Sequence, residues 1–311
     1  MDIPELAFLT TWIAASVRLT GPLLLASIGE LISERAGVLN VGIEGTVLLG
    51  ALAAYLGAIW SGSPWIGALA AAGMGMLVNV FLAWMYVVVK ASQVVVGIIF
   101  NVLAMGIASY AFRTIMGDIP RIQTAPMMPE ISVPGLKDLP LIGPALFGQS
   151  VMFYITILIA LGTGWLMYRT RLGLNLRAVG EYPKAAAAAG INVVRMRIIA
   201  VLACGLGGGL AGAYFVLVQI GLFRDTIVQG RGFIALGIVI LARWNPYLAI
   251  LAAFGFASMD ALALSLQLFD LPIPTQALVA LPYLLTVLAV SGVFGRSRNP
   301  AALMTPYHAD R

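Results

Sequence analysis

Long apolar runs recur along this chain, each with the length that an α-helix needs to cross a lipid bilayer. A helix crosses the hydrocarbon core with about 20 apolar residues. The runs lie approximately at residues 6–28, 38–59, 65–89, 94–116, 149–168, 198–220, 222–242, 247–268 and 275–294. This pattern predicts an all-α fold, a polytopic transmembrane bundle of about 8 to 10 membrane segments.

The composition leaves no room for a sizeable water-soluble domain. Only 10% of the 311 residues are charged and 61% are hydrophobic, whereas about a quarter are charged in ordinary soluble domains. We therefore expect a single transmembrane domain over residues 1–311, in contact with membrane lipid. The net charge of +5 does not indicate nucleic acid, because the basic residues lie between apolar runs and form no broad polar face.

Two long polar interruptions differ in charge. Residues 169–197 contain six Lys or Arg and one Glu, whereas residues 117–148 contain two basic and three acidic residues. Loops rich in Lys and Arg stay on the cytoplasmic side of a membrane. This asymmetry predicts that residues 169–197 form a cytoplasmic loop, that residues 117–148 form an external loop, and that the tail at residues 295–311 is cytoplasmic.

Residues that would support bond chemistry or metal binding are scarce in the membrane runs. The one histidine, His308, lies in the polar tail, and the one cysteine, Cys204, cannot form an intrachain disulfide. No Walker A sequence is present, so we do not expect the chain to hydrolyse ATP. The glycines at residues 207–212 match a nucleotide-binding pattern but lie inside a membrane run, where small residues four apart favour close helix packing. We predict no catalytic residue, no metal site and no resident cofactor.

Two short segments resemble each other. Residues 37–43 and 232–238 each follow an arginine, precede a stretch rich in Leu, Ile and Val, and are followed by a Pro-aromatic pair. Corresponding irregular segments are typical of transporters with two structural repeats, whose broken helices meet near the bilayer midplane. The match predicts two broken or re-entrant segments in weakly similar halves. A match this short also arises by chance.

The loop at residues 172–192 contains the signature of a short helix. Pro183 stands at its start, five consecutive alanines follow Lys184, and Gly190 stands at its end, which are the start and stop signals of a helix. Alanine favours a helix but buries little area, so a smooth helix of this kind suits docking into a groove of a partner protein. The alternative is a helical connector without a partner.

Five motifs are distributed along nearly the whole chain. They are SERAGVLNVGIEG at residues 33–45, the alanine-rich loop at 172–192, GRGFIAL at 230–236, RWNP at 243–246 and LPYLLT at 281–286. Together they resemble the inner-membrane permeases of ABC importers, and most closely the nucleoside (guanosine-type) permeases of the branched-chain amino acid/ribose permease superfamily.

The resemblance implies a transport subunit that performs no bond chemistry. In that family the alanine-rich loop carries a coupling helix, which sits in a cleft of a cytoplasmic ATPase subunit that binds ATP and Mg. The coupling residues carried over are Glu181, Pro183, Ala186, Ala187 and Gly190. The implied partners are this ATPase, a second homologous permease that is usually non-identical, and a substrate-binding lipoprotein or periplasmic protein. The implied location is a bacterial cytoplasmic (inner) membrane.

Polar residues inside the membrane runs are the candidates for the translocation path. An acid at the bilayer centre costs about 2.5–3.5 kcal/mol on insertion scales, so Glu44 needs a partner, for which Arg35 and Arg231 are the candidates. A nucleoside requires hydrogen-bonding groups and an aromatic surface for stacking. The predicted path residues are Asn40, Glu44, Asn101, Tyr214, Gln219, Arg231 and Phe233. The alternative interpretation is that these groups bond neighbouring helices and never meet substrate.

The sequence therefore favours an ABC importer permease for nucleosides that an extracytoplasmic binding protein delivers. A riboflavin-like heterocycle or a ribose-like sugar is the alternative substrate. An ion-coupled secondary transporter would use intramembrane carboxylates, for which Glu44 and Asp260 are the candidates. An intramembrane enzyme is disfavoured, because the acids are scattered and no histidine lies in the membrane runs.

Overall fold

A computed structural model describes most of the chain. The described residues are 3–117, 123–131, 135, 143–267, 277–278, 280–291 and 299–308. Within these ranges the chain forms helices and irregular connections and no strand, which confirms the predicted all-α fold. About half of the predicted external loop at residues 117–148 lies outside the described residues, as do parts of the last predicted run and of the tail.

Twelve helices are described, and we number them α1 to α12 in chain order. They are α1 (Ile3–Arg35), α2 (Ile43–Ser61), α3 (Pro64–Ala83, continued by a π-helical turn at Trp84–Val88), α4 (Gln93–Met116), α5 (Gly143–Leu146), α6 (Val151–Arg169), α7 (Arg171–Glu181), α8 (Pro183–Ala188), α9 (Val193–Tyr214, continued by a π-helical turn at Phe215–Ile220), α10 (Arg231–Leu241), α11 (Pro246–Leu266) and α12 (Leu281–Val290).

Polar side chains define where several of these helices begin. The first N–H groups of a helix have no partner within the helix, and a side-chain oxygen just before the first turn can accept from one of them. Ser150, Thr170, Asn192 and Asn245 do so at the starts of α6, α7, α9 and α11. Apolar helices therefore start at residues that the sequence marks with a polar cap.

Seven of the described helices are long and apolar enough to cross a membrane: α1, α2, α3, α4, α6, α9 and α11. The predicted segment at residues 222–242 is not a spanning helix, which corrects the sequence-based expectation. Only the 11 residues of α10 are helical there, because Gly221 and Gly230, with φ of +73° and +77°, take a left-handed conformation that interrupts the helix. Residues 221–230, the broken segment, are irregular.

The helix α9 packs against α1, α2 and α3 through backbone contacts that only glycine permits. A Cβ atom on Gly209 would lie 2.2 Å from the carbonyl oxygen of Ala71 in α3, and one on Gly205 would lie 2.4 Å from that of Gly75. Similarly, a Cβ atom on Gly212 would lie 2.2 Å from the carbonyl oxygen of Val47 in α2. The glycines at residues 205–212 therefore serve close helix packing, as predicted.

The two ends of the bundle carry different elements. The α8 end, as we call it, carries α7, α8 and the described tail at residues 299–308. There the Ala302 N–H donates to Gly180 O at 2.8 Å and the Met304 N–H donates to Gly37 O at 3.1 Å. At the opposite end, the Met128 N–H donates to Leu217 O at 2.8 Å, near the end of α9. The tail thus lies at the same end as the alanine-rich loop.

Candidate translocation site

The helix α10 begins deep inside the bundle. It ends at the α8 end, where Trp244 Nε1 donates to Glu34 Oε2 and Arg35 Nε donates to Trp244 O at 2.9 Å. Eleven residues of helix extend about 16 Å, which is about half of the 30 Å core of a bilayer. The first residue of α10, Arg231, therefore lies near mid-depth, and the broken segment covers the remaining half.

Glu44 binds the N-terminus of α10. Its Oε1 accepts from the Gly230 N–H and its Oε2 accepts from the Gly232 N–H, each at 2.7 Å. The N-terminus of a helix carries unpaired N–H groups and a partial positive charge, so a carboxylate is stabilised there. Gly232 is required at this contact, because a Cβ atom on it would lie 2.6 Å from Glu44 Oε2.

This geometry corrects the expected partner of Glu44. Neither arginine forms an ion pair with it within the described residues. Arg231 Nη2 instead forms an ion pair with Asp260 Oδ2 at 3.0 Å in α11, and its guanidinium carbon lies 5.4 Å from the ring centroid of Phe215. Arg35 donates to the backbone of Trp244. The sequence could not show that backbone N–H groups would be the hydrogen-bond donors to the Glu44 carboxylate.

A cavity of about 610 Å³ opens beside Glu44. Its walls are the start of α2, one face of α4 between Ile98 and Met105, and the stretch from Asp225 to Phe233. Irregular backbone is tolerated at membrane depth only where it is buried in protein or lines a water-filled cavity, because its N–H and C=O groups need partners. The broken segment meets this condition by lining the cavity.

Three of the predicted path residues meet at this cavity: Glu44, Asn101 and Phe233. Asn101 fixes the start of α2, since its Oδ1 accepts from the Gly45 N–H and its Nδ2 donates to Val41 O, each at 2.9 Å. Phe233 is 43% exposed. The cavity therefore offers an aromatic surface beside polar groups, as a flat polar ligand requires.

Asn40 lies elsewhere, in a buried polar cluster that holds residues 36–42 between α1 and α2. Its N–H donates to Glu30 Oε1 at 2.7 Å and its Nδ2 donates to Asn79 Oδ1 at 2.8 Å. Its Oδ1 accepts from the Tyr86 hydroxyl at 3.2 Å, and Cys204 Sγ lies 3.3 Å from its Nδ2. Asn40 is completely buried, so its side chain serves the packing of α1, α3 and α9.

The structure does not bring the other predicted path residues to the cavity. Tyr214 is completely buried, and its hydroxyl has no hydrogen-bond partner among the described residues. Gln219 Nε2 is likewise buried without a partner in the described part of the chain. Arg231 lies next to the cavity but is held by Asp260. These three side chains are not among the residues that line the cavity.

The two similar segments found in the sequence have different structures. Residues 37–42 are irregular as predicted, with Gly37 at a φ of +88°. Residues 232–238 belong to the regular helix α10, so the break in the second half lies before the similar segment and not within it. The prediction of two irregular segments holds, but the position of the second was wrong.

Three polar residues of the cavity were missed: Asp225, Thr226 and Gln229. Asp225 Oδ2 accepts from Ser109 Oγ at 3.0 Å, which links the broken segment to α4. A signal was present in the sequence, since these polar residues stand between Gly221 and Gly230 inside an otherwise apolar run. These three residues were missed because the run was interpreted as one spanning helix.

The alanine-rich loop forms α7 and α8 as two separate short helices. The side chain of Ala186 is only 4% exposed and packs within the chain against Val179 and Val193. Ala185 and Ala188 are exposed instead. The structure therefore changes which alanines can face a partner, because Ala186 already lies in a small apolar cluster of this chain.

The other predicted coupling residues support the shape of this loop. Pro183 occupies the first turn of α8. Gly190 has a φ of +84°, a left-handed conformation that suits glycine after the end of a helix. Glu181 Oε2 accepts from the Ala301 N–H of the tail at 3.2 Å. Ala187 is half-buried and packs beside the Ala186 cluster.

A bundle of apolar spanning helices around a half-length helix and a polar cavity defines an integral membrane permease. A family model described as "Branched-chain amino acid transport system / permease component" matches residues 12–290. The chain belongs to this family. It is therefore the permease component of an ABC transport system, a transport subunit that works with an ATPase and a substrate-binding protein.

Three relatives are similar to the chain over nearly its full length. The guanosine ABC transporter permease protein NupQ of Bacillus subtilis is 35% identical over 99% of this chain and 98% of its own. The nucleoside ABC transporter permease protein NupC of Lactococcus lactis is 32% identical over 90% of this chain and 91% of its own. A putative glucose ABC transporter permease protein of Haloferax volcanii is 31% identical over 98% of this chain and 99% of its own.

A solved structure shares the fold. It is described as an inward-facing conformation of a putative metal-chelate type ABC transporter, and it aligns with a TM-score of 0.51 over 90% of this chain and 85% of its own. The sequence identity is 17%, so the likeness concerns the fold alone.

Proposed function

We propose that this chain carries neutral nucleosides through the membrane by way of the cavity beside Glu44. The observation that carries the proposal is the broken segment, irregular backbone at mid-depth that lines a cavity of about 610 Å³. This volume lies within the usual range of about 300–1,000 Å³ for small-molecule sites.

The charges around the cavity favour a neutral ligand. In transporters with broken helices, the exposed N-terminus of a half-helix binds the anionic group of the substrate. Here the N-terminus of α10 is already bound by Glu44, and Arg231 is already paired with Asp260. An anionic ligand would find no free positive charge on these groups, whereas a neutral polar ligand requires none.

The same contacts disfavour an ion-coupled transporter. Its candidate carboxylates are Glu44 and Asp260, and both are occupied, the first by two backbone N–H groups and the second by Arg231. A bound proton or cation would have to compete with these partners. ATP-driven movement, supplied through the α8 end, needs no such site.

The relatives support a nucleoside as the first candidate substrate. Two of them are named for guanosine or nucleosides, and Phe233 offers an aromatic face for a base. A sugar is the second candidate, because the similar protein of Haloferax volcanii is named for glucose. A riboflavin-like heterocycle remains an alternative within the flat ligands that the cavity can hold.

The proposed assembly places each partner at one end of the bundle. The ATPase subunit, which binds ATP and Mg, docks at the α8 end, which we assign to the cytoplasm together with the tail at residues 295–311. A binding lipoprotein or periplasmic protein delivers substrate at the opposite end, near the external loop at residues 117–148. The complex also contains a second, homologous and non-identical permease. It is therefore a heterodimer of permeases in a bacterial inner membrane, and residues 1–311 of this chain form one domain.

The test is uptake by cells that express the complete transporter. We expect uptake of labelled nucleoside that depends on both this chain and the ATPase, and no ATP hydrolysis by the purified chain alone. Competition by unlabelled nucleosides but not by glucose or ribose separates the first candidate from the second. Vigorous hydrolysis by the pure chain, or glucose uptake without nucleoside uptake, would refute the proposal.

A further inference from the structure

The polar groups of the cavity fall into two sets. The first set is already engaged within the chain: both oxygens of Glu44 accept backbone N–H groups, and both ends of the Asn101 amide are bonded to the backbone around α2. These bonds hold the two side chains against the backbone and use part of their hydrogen-bonding capacity. Recognition therefore falls to the second set, which has more hydrogen-bonding capacity left for a ligand.

Asp225 and Gln229 belong to this second set. Asp225 accepts one hydrogen bond, from Ser109 Oγ to its Oδ2, and no cation pairs with it within the described residues. The side-chain amide of Gln229 forms no hydrogen bond in the described part of the chain. Both residues are exposed and line the cavity.

The backbone around Gln229 is held in an uncommon conformation. Its φ is +49°, in the left-handed region that costs a residue other than glycine about 1 kcal/mol or more. Its carbonyl oxygen accepts from the Tyr283 hydroxyl at 2.8 Å, a contact that holds this conformation from α12. Such strain is typical of positions whose side chain serves a site.

We propose that Asp225 and Gln229 select the base of the nucleoside by its hydrogen-bonding edge. This inference rests on the proposed nucleoside function. Asp225 Oδ1 has no partner among the described residues, and Oδ2 keeps a second lone pair beside the one that Ser109 Oγ uses. The Gln229 amide has a donor beside an acceptor. The matching edge carries two adjacent N–H donors for Asp225 and a carbonyl for the Gln229 amide, which is the edge of guanine.

Adenine does not match this edge. It presents a ring nitrogen acceptor where guanine presents an N–H donor, so the Asp225 carboxylate would face another acceptor. A site that leaves a polar group unpaired with the wrong ligand discriminates strongly. The arrangement therefore favours guanosine over adenosine, with the Phe233 ring available to stack on either base.

The test measures nucleoside uptake into right-side-out vesicles that contain the complete transporter. The binding protein is kept saturated with nucleoside, so that delivery does not set the selectivity. We expect Asp225→Asn to lower the ratio of the maximal guanosine rate to the maximal adenosine rate by at least about fivefold, the lower limit for losing a bidentate base contact. Gln229→Leu should lower guanosine and inosine transport relative to adenosine, because both share the carbonyl.

Glu130→Gln is the matched control, since Glu130 is also an exposed carboxylate but does not line this cavity. It should leave the ratio unchanged.

An unchanged ratio in both Asp225→Asn and Gln229→Leu would overturn the inference. An equal loss for all nucleosides, with lost inhibition by ribose, would also overturn it and assign Asp225 to the sugar hydroxyls. Absence of any nucleoside transport by the wild type would instead refute the proposed function itself. If Asp225→Asn fails to insert, Gln229→Leu decides alone.

Discussion

Replacing either Ala185 or Ala186 of α8 with glutamate distinguishes a role in docking to the ATPase from a role in folding. Ala185 is exposed, whereas Ala186 is 4% exposed and packs against Val179 and Val193. We predict that Ala185→Glu leaves the permease stable but weakens its hold on the ATPase, and that Ala186→Glu destabilises the α8 end. The contrast arises because successive residues of a helix point about 100° apart.

The magnitudes follow from position and burial. Ala185 lies in the first turn of α8, where a carboxylate gains about 0.3–1 kcal/mol from the helix dipole. This gain offsets the few tenths of a kcal/mol by which glutamate is a poorer helix former than alanine. An unpaired carboxylate at the buried position of Ala186 costs roughly 2–4 kcal/mol. At a docked interface, the new charge of Ala185→Glu should cost about 2 kcal/mol, which is roughly a 30-fold loss of affinity.

The assay measures thermal unfolding of the purified permease and retention of the ATPase subunit on an affinity-tagged permease. Ala185→Ser is the control, because it stays small and should retain the ATPase. If Ala185→Glu keeps both ATPase retention and nucleoside uptake at the wild-type level, the exposed face of α8 is not the docking surface. If Ala186→Glu unfolds at the wild-type temperature, the burial argument fails.

Three further predictions concern the bundle itself. Glu44→Ala should leave the first N–H groups of α10 without an acceptor, lower the stability of the permease by about 1–3 kcal/mol and abolish uptake. Thermal unfolding and transport assays measure the two effects, and unchanged stability would contradict the role of Glu44 at the helix N-terminus. Asn40→Ala should lower stability by a similar amount, because its partners in the buried cluster lose their bonds, and wild-type unfolding would refute this. In a Cys204→Ser background, Lys184→Cys should react with impermeant thiol reagents only from the cytoplasmic side; labelling from outside alone would reverse the assigned topology.

Much of the fold could be predicted because bilayer chemistry acts on local composition. Each spanning helix must present apolar residues over its whole length, so hydropathy alone located the seven long helices. The glycines at residues 205–212 could be assigned to packing because small residues have one main use within a membrane run. The short helix α8 was visible from Pro183 and Gly190, which are local signals.

The candidate site could be predicted only in part, because its contacts join distant parts of the chain. Glu44 and the Gly230 N–H are 186 positions apart, and no local pattern shows that a helix will start beside a given acid. The residues Asp225 and Gln229 were hidden because an apolar run of spanning length is the stronger local signal. Their importance follows from the glycines that break the helix and from the cavity that the break lines.

The amino-acid sequence by itself determined the membrane class, the order of the helices and the alanine-rich loop, since each depends on composition over a few turns. Only the tertiary structure decided which side chains are buried or hydrogen-bonded within the chain and which can contact a partner or a ligand. A run of five alanines carries no information about which one faces inward, and Ala186 is buried because Val179 and Val193 lie against it. In the same way, Asp225 and Glu44 are both carboxylates near the cavity, but backbone N–H groups engage Glu44 while Asp225 keeps an oxygen for a ligand.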